Sequence, residues 1–214
     1  MQPSSHYGGS SVEIQSFPVT PFFTNCFVVK DAGEAIIIDP GEATPELRQS
    51  VADCTVKMVF NTHCHCDHSG GNAEMVQLTG APLVCHKDDL PLLQALPEQG
   101  RMFGVSFSPS PMPDRFVDHG DIVEVGAVRF EVRHAPGHSP GHVVLVTDGV
   151  AIVGDVLFAG SIGRTDLPGG SMAQLIHSIK TQLLTLPDDT QVLSGHGPAT
   201  TIGEERMSNP FLVN

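Results

Sequence analysis

The run Thr62-His63-Cys64-His65-Cys66-Asp67-His68 constrains this chain more than any other segment. It directly follows the largely apolar residues 56–60, so its polar side chains leave the end of a buried strand on a loop, where functional groups concentrate. Side chains alternate along extended backbone, so His63 and His65 share a face and can address one metal ion. The chain then turns at Ser69-Gly70-Gly71, which lets Asp67 and His68 address a second ion about 3.5–4 Å from the first. Imidazole and carboxylate form the ligand set of zinc, iron or manganese, and the chain has no Cys-x-x-Cys pair for a closed structural zinc site.

Further ligands must come from elsewhere, and three candidates stand beside glycine at the ends of apolar stretches. They are His138 in Pro136-Gly137-His138, Asp155 in Val153-Gly154-Asp155, and His196 in Ser194-Gly195-His196-Gly197. Each glycine permits close approach of the backbone to a metal pocket, and Asp155, ending the apolar residues 150–153, needs a partner if buried. His142 is placed to support the site from behind. His6, His86, His119, His134 and His177 lack this context and read as surface or structural residues. Cys64 and Cys66 read as small apolar side chains between ligands, with thiolate ligation or redox sensing as alternatives.

The rest of the chain reads as alternating strand and helix. Strands are expected at 26–30, 35–39, 56–61, 82–85, 122–125, 128–133, 142–146, 151–153 and 191–193, and helices at 43–53, 71–78 and 171–186. Thr44-Pro45 and Ser171 supply helix starts, and residues 97–115, rich in Pro, Ser, Met and Phe without a period, read as a loop over one face. This pattern points to a layered α/β protein, and residues 1–214 to a single domain. A net charge of -13 with only 11 Lys and Arg argues against nucleic acid as partner, and no apolar run is long enough to cross a membrane. Residues 1–11 show no secretory signal, and five cysteines, an odd number, fit reduced thiols, so a cytoplasmic protein is expected.

The ordered series resembles the metallo-β-lactamase superfamily, and within it the glyoxalase II-like proteins. Residues 62–68 are similar to its Thr-His-x-His-x-Asp-His, 135–142 to its third histidine element, and Gly154-Asp155 and Gly195-His196-Gly197 to the remainder. The resemblance implies an αββα sandwich, two mixed sheets flanked by helices, with metals at one edge. It implies that His63, His65 and His138 bind one ion, that Asp67, His68 and His196 bind a second, and that Asp155 bridges them. The ions would be two divalent metals, zinc first, with iron or manganese as alternatives.

The segments 160–170 and 197–205 further resemble small bacterial-type hydroxyacylglutathione hydrolases, which lack the C-terminal helical domain of larger glyoxalase II enzymes. The implied reaction is attack by a metal-bridging hydroxide on S-D-lactoylglutathione or a similar small-molecule acyl thioester, with Asp67 and Asp155 as catalytic residues that orient the hydroxide. Arg164 would meet a glutathione carboxylate, or pair structurally with Asp166. A stable thiolate leaving group needs no general acid, and no Gly-x-Ser-x-Gly elbow points to a serine nucleophile. The alternatives are a persulfide dioxygenase of the same fold with one iron on His63, His138 and Asp155, a lactone or β-lactam hydrolase, and a non-catalytic metal-binding module, which would need a closed coordination sphere.

Overall fold

Strands β1 (Ser5–His6), β2 (Glu13–Val19), β3 (Thr24–Asp31) and β4 (Glu34–Ile38) open the chain, and β3 and β4 are buried on both faces. Such two-sided burial requires cover above and below the sheet, and the computed structural model supplies it. The structure describes residues 12–213 and the backbone of residues 5–6. The His6 side chain and most of the N-terminal stretch in which a signal was sought lie outside the described residues.

The first sheet runs in sequence order through β5 (Thr55–Phe60), β6 (Leu83–His86) and β7 (Arg115–Val117), antiparallel up to β4 and parallel beyond it. The second sheet contains β8 (Ile122–Val125), β9 (Val128–His134), β10 (Val143–Thr147), β11 (Val150–Gly154), β14 (Gln191–Ser194) and β15 (Thr200–Thr201) in the order β15-β14-β11-β10-β9-β8. A separate hairpin pairs β12 (Leu157–Phe158) with β13 (Ser161–Ile162).

The period of two sorts the core into layers. Phe27, Val29, Ile36 and Ile38 point between the sheets and meet Phe130, Val132 and Leu145. The alternate residues Cys26, Val28, Ala35 and Ile37 point outward and pack with Leu47 of α1 (Pro45–Ser50) and Met75 of α3 (Asn72–Thr79), while α2 (Cys66–Ser69) is a single turn within the metal motif. Beyond the second sheet, Val144, Ala151 and Val153 pack with Leu175 of α6 (Met172–Ser178) and Ile202 of α7 (Ile202–Ser208). The result is the αββα sandwich.

Helix signals hold where they rest on caps: Thr44 accepts the Leu47 amide, Ser171 accepts the Gln174 amide, and Gly80 closes α3 at φ 67°. The segment 97–115 corrects the sequence reading, because it begins inside α5 (Leu96–Met102), which follows α4 (Leu90–Gln94). Pro91 and Pro97 lie in the first turns of these helices, where a missing N–H is harmless, so both prolines serve as helix initiators. Beyond Met102 the chain is irregular up to β7, as expected. The expected helix 171–186 is α6 continued by a wider π turn at Ile179–Leu183, and strand β2 and helix α7 were not foreseen.

Candidate metal centre

The site lies where strand ends of the two sheets meet: the Val143 amide at the start of β10 donates to the Thr62 carbonyl just beyond β5. Asp39, at φ 55° after β4, turns its carboxylate into this junction. It accepts the Thr62 amide at 2.7 Å, the Thr62 hydroxyl at 2.6 Å and His68 Nδ1–H at 3.0 Å. One buried carboxylate therefore sets both the start of the ligand loop and one of its histidines. His65 keeps extended backbone as the cap of α2, whose turn then presents Asp67 and His68.

Partners outside the cluster fix which nitrogen of each ring faces inward. The Thr62 hydroxyl proton goes to Asp39, so Thr62 Oγ1 accepts from His63 Nδ1 at 3.2 Å and leaves His63 Nε2 bare. His138 Nδ1 donates to the Arg164 carbonyl at 2.8 Å, and His196 Nδ1 to the Phe22 carbonyl at 3.2 Å. Four imidazoles thus present Nε2 inward, whereas His65 presents Nδ1, 2.9 Å from His138 Nε2.

The structure brings together all seven expected ligands. One group is His63, His65 and His138, and the other Asp67, His68 and His196, with the donor atoms of each group within 4.8 Å of one another. Asp67 Oδ2 lies 3.2 Å from His196 Nε2 and 3.5 Å from His68 Nε2. Asp155 stands between the groups, with Oδ1 3.4 Å from His68 Nε2 and Oδ2 3.6 Å from His138 Nε2 and 3.5 Å from His196 Nε2. A grouping of Asp39 with His63 and His68 is no third site, since Asp39 already accepts three hydrogen bonds.

The cluster fits a dinuclear metal site on its own chemistry. His63 Nε2, His68 Nε2 and Asp155 Oδ1 are buried without a hydrogen-bond partner, a condition that an ion relieves. Without ions, burial holds His65 down to about 3 and His63 well below the usual histidine range. Burial alone would also lower His68 and His196, but the carboxylates of Asp67 and Asp155 outweigh it, and His196 rises to about 9. Burial likewise opposes ionisation of Asp67 and Asp155, yet His68 and its neighbours hold Asp67 at about 2 and Asp155 well below the usual carboxylate range. Asp155, which is buried, and Asp67, which is half-buried, thus demand positive charge, which ions would supply while displacing the protons.

Glycines shape the site unevenly. A Cβ on Gly195 would stand 2.2 Å from Asp155 Oδ1, and one on Gly154 2.4 Å from Thr62 Oγ1, as their place in the motif suggested. Gly137 differs, because its Cβ would strike the Leu175 backbone at 2.3 Å; this glycine admits α6 and not an ion. His142 Nε2 accepts the Asp155 amide at 3.1 Å and its ring stacks on His63, 4.6 Å between centroids, so it supports the site from behind. Cys64 and Cys66 are buried, and burial pushes the Cys66 thiol up to about 11. Neither belongs to a metal grouping among the described residues.

Arg164 forms the pair with Asp166 that the sequence reading gave as one of its two roles. Its exposed guanidinium forms a bidentate pair with Asp166 at 2.7 and 2.8 Å, and its contribution to the centre is the carbonyl that orients His138. Sequence reading also missed Asp39, Asp89 and Thr24, the last donating to Asp67 Oδ2 at 3.0 Å. A cleft of about 510 Å3 opens over the centre.

The Metallo-beta-lactamase superfamily profile matches residues 19–196. The chain is 42% identical over 208 residues to hydroxyacylglutathione hydrolase GloC of Haemophilus influenzae, covering 94% of this chain and 98% of that one. It is 32% identical over 222 residues to the mitochondrial persulfide dioxygenase ETHE1 of Homo sapiens, covering 98% and 80%. Among solved structures, the BLEG-1 B3 metallo-beta-lactamase is 36% identical with a TM-score of 0.87, covering 94% of this chain and 100% of that one. TTHA1623 in a di-iron-bound form is also 36% identical, with a TM-score of 0.84 and coverage of 92% and 100%.

Proposed function

The chain belongs to the metallo-β-lactamase superfamily, and from that premise we propose that it is a thioester hydrolase of the hydroxyacylglutathione type with two divalent ions. The observation that carries this reading is the completed second ligand group, with Asp67 within 3.5 Å of His68 and 3.2 Å of His196 and Asp155 facing both groups. The 42% identity to a hydroxyacylglutathione hydrolase supports the substrate class. His63, His65 and His138 would hold one ion and Asp67, His68 and His196 the other, with Asp155 facing both groups. Zinc suits the imidazole-carboxylate set, and the di-iron form of a 36% identical structure supports iron as the alternative. Residues 1–214 act as one domain on this reading, and the free cysteines support a reducing, cytoplasmic setting.

Bound ions would supply a water acidic enough to ionise near neutral pH and a Lewis acid for the carbonyl. The chain does the rest. Asp67 and Asp155 orient the attacking water, and Thr24 steadies Asp67 by donating to Oδ2. The outward hydrogen bonds of His63, His68, His138 and His196 prevent ring rotation, so the polar floor of the cleft is organised before substrate arrives. A thiolate is stable enough to depart without a proton donor, so the reading requires no general acid.

A persulfide dioxygenase using one iron on His63, His138 and Asp155 is the second reading, favoured by the 32% identity to such an enzyme. The two separate by loss of thioester absorbance when protein reconstituted with zinc, or with iron, receives S-D-lactoylglutathione. Metal-dependent loss that disappears in His65→Ala supports hydrolysis. An intact thioester with oxygen uptake on glutathione persulfide supports the dioxygenase.

A further inference from the structure

The walls of the cleft are unequal. On the His196 side stands Phe22, whose carbonyl accepts His196 Nδ1–H and whose ring meets Phe103 edge to face, 5.8 Å between centroids at 78°. Phe158 adds a third ring, 6.2 Å from that of His196. The turn that presents Phe22 is strained, because Thr20 at φ 61° and Phe23 at φ 55° occupy the left-handed region, which β-branched and aromatic residues enter only when their surroundings enforce it. Hydrogen bonds from the Phe23 amide to the Thr20 carbonyl and from the Thr20 amide to Glu42 fasten that turn, each at 3.2 Å. Phe103 caps the end of α5 and is an exposed residue lining the cleft, 44% accessible. Such wet aromatic surface beside a reaction centre marks a binding wall.

The one amide side chain that lines this side, Gln99, is already committed. The Gln99 amide donates to the Cys64 and Leu92 carbonyls and accepts the Cys66 amide, so it offers nothing to a ligand. Across the cleft, next to His138, the Arg164 guanidinium is matched by Asp166. A small hydroxyacyl group would therefore leave the two rings in water, whereas an apolar group would cover them.

We infer that Phe22 and Phe103 form a specificity wall for an apolar, preferably aromatic, group on the substrate sulfur, so the chain selects aryl-acyl thioesters over small hydroxyacyl ones. The reaction rests on the thioesterase reading; the binding preference is measurable without turnover.

The test titrates zinc-loaded protein with S-benzylglutathione and S-methylglutathione, thioethers that resist hydrolysis, and compares kcat/KM on S-mandeloylglutathione and S-D-lactoylglutathione. Covering a ring gives a preference of about tenfold for benzyl over methyl and for mandeloyl over lactoyl. Phe103→Ala moves both ratios toward one, and Phe103→Leu keeps part of the preference. Equal binding of the two thioethers, or ratios unchanged in Phe103→Ala, overturns the inference. A benzyl preference that vanishes in Phe103→Ala without turnover of either thioester rejects the thioesterase reading and leaves the wall in place.

Discussion

Asp89 accepts the Ser139 hydroxyl at 2.8 Å, and through that contact one buried carboxylate joins the two loops that carry the first ligand group. The same oxygen accepts the Cys64 amide at 2.9 Å, and its other oxygen the Gly141 amide at 2.6 Å. His63 and His65 flank Cys64, and His138 precedes Ser139, so the 2.9 Å approach of His65 to His138 depends on this clamp. Asp89→Asn replaces one of the two accepting oxygens by an NH2 donor, which then faces at least the Gly141 amide, and destabilises the fold by about 1–3 kcal/mol in urea unfolding. Metal titration of the variant is expected to show a larger loss of affinity at the His63-His65-His138 group than at the second. Equal losses at both groups contradict the clamp.

Asp39 performs the corresponding role for the second group, holding His68 Nδ1 at 3.0 Å. Asp39→Ala leaves that buried N–H and the Thr62 amide unpaired, and frees the His68 ring to rotate. Loss of such a partner typically lowers metal affinity about 10–100-fold. Competition with a chromogenic chelator measures it, and an unchanged affinity would remove Asp39 from the account.

Gly195 and Gly197 flank His196 but respond to different constraints. Gly195→Ala puts a Cβ 2.2 Å from Asp155 Oδ1 and 2.7 Å from His68 Cε1, so the second ion is lost. Gly197→Ala meets nothing within 4 Å but must hold φ 74°, at about 1–2 kcal/mol of stability. Metal content by elemental analysis beside thermal melting separates the two: one variant loses an ion, the other loses stability while retaining both.

These clamps show what the chain discloses when read linearly. His63, His65, Asp67 and His68 are legible because four candidate ligands crowd into six residues, and His138, Asp155 and His196 because each follows glycine at the end of an apolar strand. Asp39 and Asp89 carry no such mark, since their partners lie 23 to 52 residues away and only the packing of two sheets brings them close. The layers follow from period-two burial in β3 and β4, whereas α5 was hidden because Pro97 and Gly100 imitate loop composition. Gly137 misled in the same manner: its sequence context matches the other motif glycines, but its neighbour is α6.

His86 sets a pH dependence remote from the metal ligands. Burial, reinforced by His134 stacked at 4.3 Å and 8°, lowers its pKa below the ordinary 6.5, against the opposing pull of Asp88 and Asp118. The folded protein therefore prefers neutral His86, and the unfolded chain takes up the proton first as pH falls. Stability from this residue is complete above pH 6.5 and declines as pH drops below it toward the depressed folded value. His86→Gln flattens the slope of unfolding free energy between pH 6.5 and 5, measured by urea denaturation, roughly the range over which an ordinary histidine charges.

Stepwise metal titration of the metal-free protein, with binding and hydrolysis of a glutathione thioester followed together, tests the dinuclear thioesterase most directly. Two equivalents are expected to bind, with turnover maximal only after the second and one equivalent fewer in His196→Ala. Saturation at a single equivalent, or two equivalents bound with no hydrolysis of any glutathione thioester, would contradict it.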